Sequence, residues 1–429
     1  MRILLLGSGG REHALARALT ASDRDQLAVE LFCAPGNIGI ADHATLVEID
    51  PTDGQAVAQW AQEHRVDLVV IGPEAPLIAG VADVLRKAGI AVFGPSQAAA
   101  QLEGSKAFAK DVMAAAGVPT ARCVVCTSPD QVDEALASFT PPYVVKNDGL
   151  AAGKGVVVTE DVEVARSHAA ECLRPQGGAV VIEDYLDGPE VSLFCVTDGR
   201  SVVPLAPAQD FKRIGDGDTG PNTGGMGAYS PLPWLGSDFS DRVVEQIAQP
   251  VVEEMARRGT PFVGLLYCGL ACTSRGTQVV EFNARFGDPE TQVVLPRLRS
   301  PLAELLYAAA RGTLDQLAPL QWSDESAVGV VLAAQDYPRL PVLGDVITGI
   351  EDANAMPGVH VDVAGARRED DRVVTSGGRV VNVCALGPDL AQARDLAYRA
   401  AAAIEWRGMQ LRTDIAARAI AGKLAEGRS

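Results

Sequence analysis

The sequence has no apolar run of membrane-spanning length and has few basic residues for its size. Its 37 Lys and Arg residues are outnumbered by 55 Asp and Glu residues, so the net charge is −18. Such a charge repels phosphate backbones and anionic lipids, and we expect neither nucleic acid nor a membrane as a partner. The apolar segment at residues 3–6 is too short for the core of a signal peptide. An anionic small molecule is still allowed, because backbone dipoles and a few local cations can bind one.

The eight cysteines are scattered and do not form the paired motif of a zinc site. Cys123 and Cys126 have C-x-x-C spacing, but they lie in a strand-like segment and no second cysteine pair accompanies them. Most of the others lie in apolar segments, where cysteine behaves as a small buried residue. The pattern disfavours a redox or zinc role and indicates a reducing, cytoplasmic setting.

The first part of the chain alternates strands and helices, which predicts a small parallel sheet of Rossmann-like type. A dinucleotide fingerprint is incomplete there, because Glu12 occupies its third glycine position and no acidic residue follows the next strand. Gly9 and Gly10 precede a helix, where they either bind a single phosphate or form only a tight turn. Asn37 and Glu74 follow neighbouring strands, so we expect them at the same sheet edge, where ligands bind.

A glycine-rich hairpin at residues 143–158 is the most distinctive stretch of the chain. Two β-branched runs flank a tip of small residues that contains three glycines, and Lys146 lies on the entering strand. Such a tip can bring backbone N–H groups and cations over a polyphosphate. An ordinary flexible loop is the alternative. A Walker A loop fits poorly, because three residues rather than four separate the first glycines and a strand follows.

A second group of polar residues lies on one strand near residue 283. Glu281, Asn283 and Arg285 are spaced by two and therefore share a face. The opposite face is predicted to carry Val280, Phe282 and Ala284. A carboxylate, an amide oxygen and a guanidinium suit a hard cation and the phosphates that it bridges, although a solvated strand face is possible. Before this strand, residues 207–230 are predicted to form a long polar loop that suits an anion-binding lid.

In combination, these motifs resemble the glycinamide ribonucleotide synthetases, or phosphoribosylamine–glycine ligases, of the ATP-grasp superfamily. The resemblance covers nearly the whole chain. The segments that carry it are residues 7–14, 34–37, 72–74, 102–108, 148–155, 218–229 and 281–290. The last two are the most specific in this order: Asp218-Thr-Gly-Pro-Asn-Thr-Gly-Gly-Met-Gly-Ala-Tyr229 and Glu281-Phe-Asn-Ala-Arg-Phe-Gly-Asp-Pro-Glu290.

The resemblance implies a multidomain α/β and α+β fold. Its expected parts are a Rossmann-like N-terminal domain, an ATP-grasp module and a small C-terminal α+β domain. We place the limits at residues 1–103 for the N-terminal domain, 104–122 for a linker and helix of the ATP-grasp core, 123–188 for a small lid subdomain, 189–324 for a large subdomain and 325–429 for the C-terminal domain.

The activity implied by the resemblance joins glycine to 5-phosphoribosylamine and splits ATP to ADP and phosphate, in de novo purine biosynthesis. The glycine carboxylate would first take the γ-phosphoryl group, and the amine would then attack the acyl phosphate. A lid must exclude water from that intermediate. The expected partners are these small molecules with Mg²⁺ or Mn²⁺, and the expected state is a monomer or a weak homodimer.

The resemblance also assigns residues to roles. ATP would be bound by Lys106, Lys146, Gly149, Leu150, Ala151, Ala152, Gly153, Lys154, Gly155, Glu183, Tyr185, Leu186 and Glu190. The metal would be bound by Glu281 and Asn283. The catalytic residues would be Asp210, Lys212 and Arg285. The other substrates would meet Gly9, Gly10, Asn37, Glu74, Gly224, Gly225, Met226 and Asp288.

Arg285 is predicted to hold the carboxylate of glycine, with a structural ion pair to Asp288 or Glu290 as the alternative. The sequence departs from the family pattern at Asn147, Phe211, Ala284, residues 335–339 and residues 361–362; the last two concern contacts of the C-terminal domain. Another ATP-grasp carboxylate–amine ligase is the second interpretation, and residues 207–230 and 285–290 would discriminate. A nucleotide-linked oxidoreductase and a non-catalytic nucleotide-binding regulator are further alternatives.

Overall fold

The N-terminal region forms a parallel sheet because its strands are short apolar runs that helices cover. The computed structural model describes residues 1–21, 28–149, 155–174 and 178–427. The elements of this region are β1 (Arg2–Gly7), α1 (Gly10–Leu19), β2 (Glu30–Pro35), β3 (Thr45–Leu46), α2 (Gly54–Glu63), β4 (Leu68–Ile71), α3 (Glu74–Ile78), α4 (Val81–Lys87) and β5 (Ala91–Phe93). The strand order is β3-β2-β1-β4-β5 and all pairs are parallel, as predicted.

The next region contains the predicted hairpin within a four-stranded antiparallel sheet. Its elements are α5 (Gln101–Gly104), α6 (Lys106–Ala116), β6 (Cys123–Cys126), α7 (Pro129–Ser138), β7 (Tyr143–Asn147), β8 (Val156–Thr159), α8 (Val162–Leu173) and β9 (Val180–Glu183). We call the sheet β6-β9-β7-β8 the lid sheet. Helices α7 and α8 cover one face, where Leu136 and Ala169 pack with Val145 and Ile182. The opposite face is therefore open to the rest of the chain.

A second antiparallel sheet, β11-β10-β16-β17, lies in the following region. The elements are β10 (Glu190–Asp198), β11 (Val202–Pro204), β12 (Gln209–Asp210), β13 (Arg213–Gly215), β14 (Thr219–Asn222), β15 (Gly227–Ser230), α9 (Phe239–Val243), α10 (Gln249–Arg257), β16 (Val263–Thr273), β17 (Gly276–Asn283), α11 (Thr291–Val294) and α12 (Leu302–Arg311). Strand β10 pairs along its whole length with β16, and β17 on the other side of β16 lies at the edge of the sheet.

The C-terminal sheet draws strands from both sides of residue 324. The remaining elements are β18 (Ser326–Ala333), α13 (Ile350–Asn354), β19 (Val359–Val363), β20 (Ala366–Glu369), β21 (Arg372–Thr375), β22 (Arg379–Gly387), α14 (Leu390–Ala401) and α15 (Ala417–Ile420). The sheet order is β12-β15-β18-β22-β19, so β12 and β15 extend the sheet of the C-terminal region. The proposed limit at residue 324 therefore crosses a continuous hydrogen-bonded sheet.

The expectation of a long loop at residues 207–230 is wrong, because the segment contains four short strands. Strands β13 and β14 form a hairpin. The buried guanidinium of Arg412 donates hydrogen bonds to Asp218 (2.8 Å) and to the carbonyl of Arg213 (3.2 Å), and it lies 4.9 Å from the ring centre of Phe211. A residue near the chain terminus thus orders the segment, and no local sequence pattern could show this.

Within the described ranges, no helix is both long and apolar enough to cross a membrane. The eight cysteines all lie in described segments and are free thiols.

Candidate active site

The open face of the lid sheet carries Lys146 and Glu183 among valines. Residues that pair directly across antiparallel strands share a face. Lys146 is paired with Val156 and Val181, and Glu183 is paired with Val144. Val156 is half-buried and Val158, two residues further on, is exposed. This face therefore offers an apolar shelf for a flat ring beside a buried cation.

Lys146 and Glu183 belong to a buried cluster of three charges. The Nζ atom of Lys146 lies 3.0 Å from Oε2 of Glu183, and the Nζ atom of Lys110 lies 3.4 Å from Oε1. All three side chains are at most 7 % exposed. Lys146 also donates to the carbonyl of Val280 (3.2 Å), which joins the lid sheet to β17. We call this group the Lys110–Glu183–Lys146 cluster.

Helix α6 is fixed to the hairpin at its first turn. Ser105 caps the helix by accepting from the N–H of Phe108 (3.1 Å). Asp148, at the end of β7, accepts from Ser105 Oγ (3.2 Å) and from the N–H of Ala107 (3.2 Å). Lys106 then donates to the carbonyl of Gly149 (3.2 Å). The two predicted phosphate lysines, Lys106 and Lys146, are thus held at the base of one hairpin.

The hairpin tip was assigned to ATP phosphates, and part of it is described. Gly149 has φ +143°, a conformation that residues with a Cβ rarely adopt. The predicted contacts Leu150, Ala151, Ala152, Gly153 and Lys154 lie outside the described residues. Gly155 is buried and its carbonyl accepts from the N–H of Asn147 (2.7 Å). Both ends of the hairpin are therefore closed by backbone contacts.

Strand β17 carries a β-bulge next to Glu281. Gly269 is paired with Glu281 and Leu270 with Val279, so Val280 is the additional residue. The bulge shifts the alternation, and the core side chains are Val279, Phe282 and Ala284. The prediction that Val280 shares a face with Phe282 and Ala284 is therefore wrong: Val279 takes that place, and Val280 is half-buried. Glu281, Asn283 and Arg285 are half-buried beside the lid sheet.

Glu281 and Asn283 provide oxygen atoms that fit a hard divalent cation. Burial would raise the pKa of Glu281, but the charges of Lys212 and Lys146 lower it overall, so the carboxylate is ionised at neutral pH. The amide oxygen of Asn283 accepts a long hydrogen bond from Arg285 (3.4 Å). No group of three or more His, Cys, Asp or Glu side chains suits a metal in the described ranges. Phosphate oxygens and water would complete the coordination.

Arg285 lies between two carboxylates. One is Glu74 of the N-terminal region, and the other is Glu103 of α5, just before α6. The Nη2 atom of Arg285 is 3.1 Å from Glu103, and its Nε atom is 3.6 Å from Glu74. The Nε–H is buried and has no hydrogen-bond acceptor among the described residues. The alternative partners Asp288 and Glu290 have other contacts: Asp288 pairs with Arg379 (3.0 Å), and Glu290 accepts from Tyr267 (2.6 Å) and Ser192 (3.1 Å).

Asp210 and Lys212 lie at the start of the segment that Arg412 orders. Lys212 forms an ion pair with Glu190, one of the residues assigned to ATP. Burial raises the pKa of Asp210 to about 7, against the opposing charge of Lys212 and with the help of Glu290 and Glu190. A carboxyl group that titrates near neutrality can exchange a proton at physiological pH.

Two turns that were assigned to substrate are joined by a residue of the C-terminal region. Arg379 donates to the carbonyls of Gly224 (2.5 Å) and Asp288 (2.8 Å), and it pairs with the Asp288 carboxylate. Gly225 has φ +111°, and a Cβ there would lie 2.4 Å from Pro289. The adjacent Met226 is fully buried. The turns at residues 224–226 and 287–289 are therefore packed against each other.

One assigned residue of the N-terminal region, Asn37, is in contact with the C-terminal region. Asn37 donates to the carbonyls of Ser8 (2.8 Å) and Val363 (2.7 Å). Gly9 donates to the side chain of Glu12 (2.7 Å) at the start of α1. The sequence departs from the family pattern at residues 361–362, and the structure explains the change at Asp362. This buried carboxylate pairs with Arg17 of α1 at 2.5 Å.

The architecture and these contacts can be compared with known proteins. Three family models described as phosphoribosylglycinamide synthetase match the chain: the N domain matches residues 1–103, the ATP-grasp (A) domain residues 104–291 and the C domain residues 327–418. The chain belongs to this family.

Relatives of the phosphoribosylglycinamide synthetase family align over almost the whole length. The phosphoribosylamine–glycine ligase of Streptomyces coelicolor is 63% identical over 421 residues, which cover 98% of this chain and 99% of the relative. That of Mycobacterium leprae is 54% identical over 429 residues, covering 99% and 100%. The crystal structure of phosphoribosylamine–glycine ligase from Thermotoga maritima has a TM-score of 0.84 at 32% identity and covers 97% of this chain and 100% of that one. The predicted family and fold class are confirmed.

Sequence reasoning missed three charged residues of this synthetase fold that organise the cleft: Lys110, Glu103 and Arg379. Lys110 lies four residues after Lys106 and so on the same side of α6, which is a signal that the sequence does contain. Glu103 lies within a motif that was used only to recognise the family. Arg379 had no local signal, because its partners are far away in the chain.

Proposed function

We propose that this chain is an ATP-dependent ligase that joins glycine to 5-phosphoribosylamine and yields glycinamide ribonucleotide, ADP and phosphate in de novo purine biosynthesis. The observation that carries the proposal is the group of charges around Glu281 in a member of the phosphoribosylglycinamide synthetase family. Against the effect of burial, the positive side chains of Lys212, Lys146, Lys106 and Arg285 lower the pKa of Glu281, so all four lie near it. The names of relatives at up to 63% identity agree with it.

The nucleotide side of the cleft consists of Lys106, Lys146, Glu183, Glu281 and Asn283. Lys106 and Lys146 bind the phosphates and neutralise their charge, which is the main requirement of phosphoryl transfer. The valines of the lid sheet cover the adenine, together with residues 183–186, while Glu190 holds the ribose. Glu281 and Asn283 hold Mg²⁺ or Mn²⁺, which neutralises charge on the phosphates when it is bound. The assignment of residues 149–155 to the phosphates stays a prediction, because residues 150–154 lie outside the described residues.

Arg285 holds the carboxylate of glycine during its phosphorylation. The carboxylate oxygen attacks the γ-phosphorus, the bond to the ADP oxygen breaks, and glycyl phosphate forms. The buried Nε–H of Arg285 has no acceptor among the described residues, and it supports this role because a substrate oxygen would satisfy it. Glu103 and Glu74 keep the guanidinium in place.

The amine side of the cleft consists of Asp210, Gly224, Gly225, Arg285, Asp288 and Arg379. The nitrogen of 5-phosphoribosylamine attacks the carbonyl carbon of glycyl phosphate, the carbon–oxygen bond to phosphate breaks, and phosphate leaves. Asp210 accepts the proton that the nitrogen loses, with Lys212 beside it. The pKa of Asp210, about 7, supports this assignment because the ionised carboxylate is then abundant at physiological pH. Gly9, Gly10, Asn37, Glu74 and Met226 shape the remaining wall.

The proposal includes the predicted domain limits, a cytoplasmic setting and a monomeric or weakly dimeric state. The eight free thiols are consistent with a reducing compartment. The limit at residue 188 lies between β9 and β10, whereas the limit at residue 103 falls within α5 and the limit at residue 324 divides the strands of one sheet. Analytical ultracentrifugation at several protein concentrations tests the oligomeric state.

The function is tested by ADP release from purified protein with ATP, Mg²⁺, glycine and 5-phosphoribosylamine. We expect release that needs all components and a product with the mass of glycinamide ribonucleotide. If ADP forms with another carboxylate or amine but not with this pair, the chain is a different ATP-grasp ligase.

A further inference from the structure

Lys110 is a buried charge of the cleft to which no role has been assigned. Its Nζ atom has three oxygen partners: Thr120 Oγ1 (2.8 Å), the carbonyl of Ala121 (3.1 Å) and Glu183 Oε1 (3.4 Å). An ammonium group has three N–H donors, and here two hydrogen bonds and one ion pair surround it. Lys110 therefore has no donor for a nucleotide phosphate, in contrast to Lys146.

Lys146 has two partners among the described residues, Glu183 and the carbonyl of Val280. One of its N–H donors is therefore available for a ligand. Both lysines share the carboxylate of Glu183, each through a different oxygen. The cluster has two positive charges and one negative charge, so it keeps a net charge of +1 for an anion. Without Lys110, its net charge would be zero.

We propose that Lys110 is a positioning residue for ATP: it neutralises Glu183, so that Lys146 keeps a free N–H and its charge for the nucleotide phosphates. The inference rests on the proposed function only in naming ATP as the ligand of Lys146. Lys110 acts through Glu183 and does not touch the substrate.

A second set of contacts explains why Lys110 can hold this geometry. Thr120, which accepts from Lys110, donates to the carbonyl of Val279 (2.7 Å) in the strand that carries Glu281. Lys146 donates to the carbonyl of the next residue, Val280. The cluster therefore connects α6, the lid sheet and β17 around the expected position of the phosphates.

The test compares Lys110→Met with the wild type. ATP binding is measured by calorimetry with Mg²⁺ and without glycine or amine, together with the melting temperature and the KM values for ATP and glycine. We expect ATP affinity to fall about tenfold, comparable with the loss of one charge-assisted hydrogen bond. The KM for glycine should change less than about twofold, since Arg285 is outside the cluster.

Arg258→Met is the matched control. Arg258 pairs with the buried Glu254 at 2.6 Å and with Asp111 of α6 at 2.7 Å. Its substitution, like that of Lys110, leaves a buried carboxylate without one of its partners. We expect a lower melting temperature with unchanged ATP affinity. If Lys110→Met behaves in the same way, Lys110 is only structural and the proposal is wrong.

The double variant Lys110→Met/Glu183→Gln provides the decisive comparison and removes the unpaired carboxylate that could prevent folding. It is compared with Glu183→Gln alone, because Glu183 is itself assigned to the nucleotide. Since Lys110 acts through the charge of Glu183, its loss should lower ATP affinity much less than tenfold in the Glu183→Gln background. A loss there as large as in the wild-type background contradicts the proposal. ATP binding is measured without the other substrates, so the effect of these variants on ATP affinity can be interpreted even if the proposed ligase reaction is not observed.

Discussion

The nucleotide side of the cleft lies within the matched ATP-grasp domain, residues 104–291, whereas the amine side joins that domain to the N- and C-terminal regions. Lys106 contacts Gly149, and Lys146 contacts both Glu183 and the carbonyl of Val280, next to Glu281. On the amine side, Arg285 reaches Glu103 and Glu74, and Arg379 reaches Gly224 and Asp288. Nucleotide use thus depends on a module that many ligases could share, while recognition of the other substrates depends on how separate regions fit together.

The largest expected effect comes from the nucleotide side. Glu281→Gln removes the full charge that is proposed to hold a divalent cation against the phosphates, so kcat should fall by about a hundredfold or more. Steady-state ADP release over a Mg²⁺ titration is the measurement. Glu245→Gln, at an exposed glutamate, is the control and should behave as the wild type. Normal turnover of the variant at saturating Mg²⁺ would show that Glu281 does not bind the metal.

Arg285→Lys tests the role of Arg285 in binding glycine on the amine side of the cleft. Lysine keeps the positive charge but lacks the planar guanidinium that can bind both oxygens of a carboxylate. We expect kcat/KM for glycine to fall about thirtyfold, as for the loss of a charged hydrogen-bond pair, with ATP affinity and melting temperature nearly unchanged. All three quantities, kcat/KM for glycine, ATP affinity and melting temperature, are measured on one preparation of the variant. The opposite pattern, lower stability with normal glycine kinetics, would mean that Arg285 only joins Glu103 and Glu74.

Arg379→Met tests whether the C-terminal region shapes the amine side. The variant loses the contacts that hold the turns at Gly224 and Asp288 together, and the KM for 5-phosphoribosylamine should rise about tenfold, as expected for one charged hydrogen bond. The KM for ATP should not change. Arg399→Met, at an exposed site of the same region, is the control. A parallel rise in the KM for ATP would contradict the separation of the two sides.

The smallest expected effect is a pH dependence on the amine side. With a pKa of about 7, Asp210 is mostly protonated below neutrality and ionised above it, and only the ionised form accepts a proton. We expect kcat/KM for the amine to rise about fourfold from pH 6.5 to pH 8, after correction for the titration of the amine. Asp210→Asn should be less active, and its kcat/KM for the amine should no longer rise between pH 6.5 and pH 8. If the rise remains in this variant, a group other than Asp210 causes it.

The nucleotide side could be predicted largely from the sequence because its signals are local. The β-branched runs around Lys146 predicted the hairpin, and a spacing of two placed Glu281 and Asn283 together. The bulge at Val280 could not be predicted, because it depends on pairing with β16. The position of Lys110 in the cluster also depends on the fold of the lid sheet.

The amine side was less predictable because its contacts join distant parts of the chain. Family motifs predicted which residues take part, but not that Glu103 and Glu74 would hold Arg285 in place of Asp288 or Glu290. The segment at residues 207–230 looked like a loop from its glycines and polar residues. Its order depends on Arg412, whose role no local composition indicates.

The bulge in β17 has a consequence for how the site can change during evolution. In a regular strand, successive carbonyls alternate between the two edges, but here the carbonyls of Val279 and Val280 both accept from outside the sheet, from Thr120 and Lys146. A main-chain acceptor persists when the side chain is exchanged. The contact from Lys146 therefore persists when the side chain at position 280 changes, and it is lost when Lys146 is replaced or when the bulge is removed by deletion of a residue.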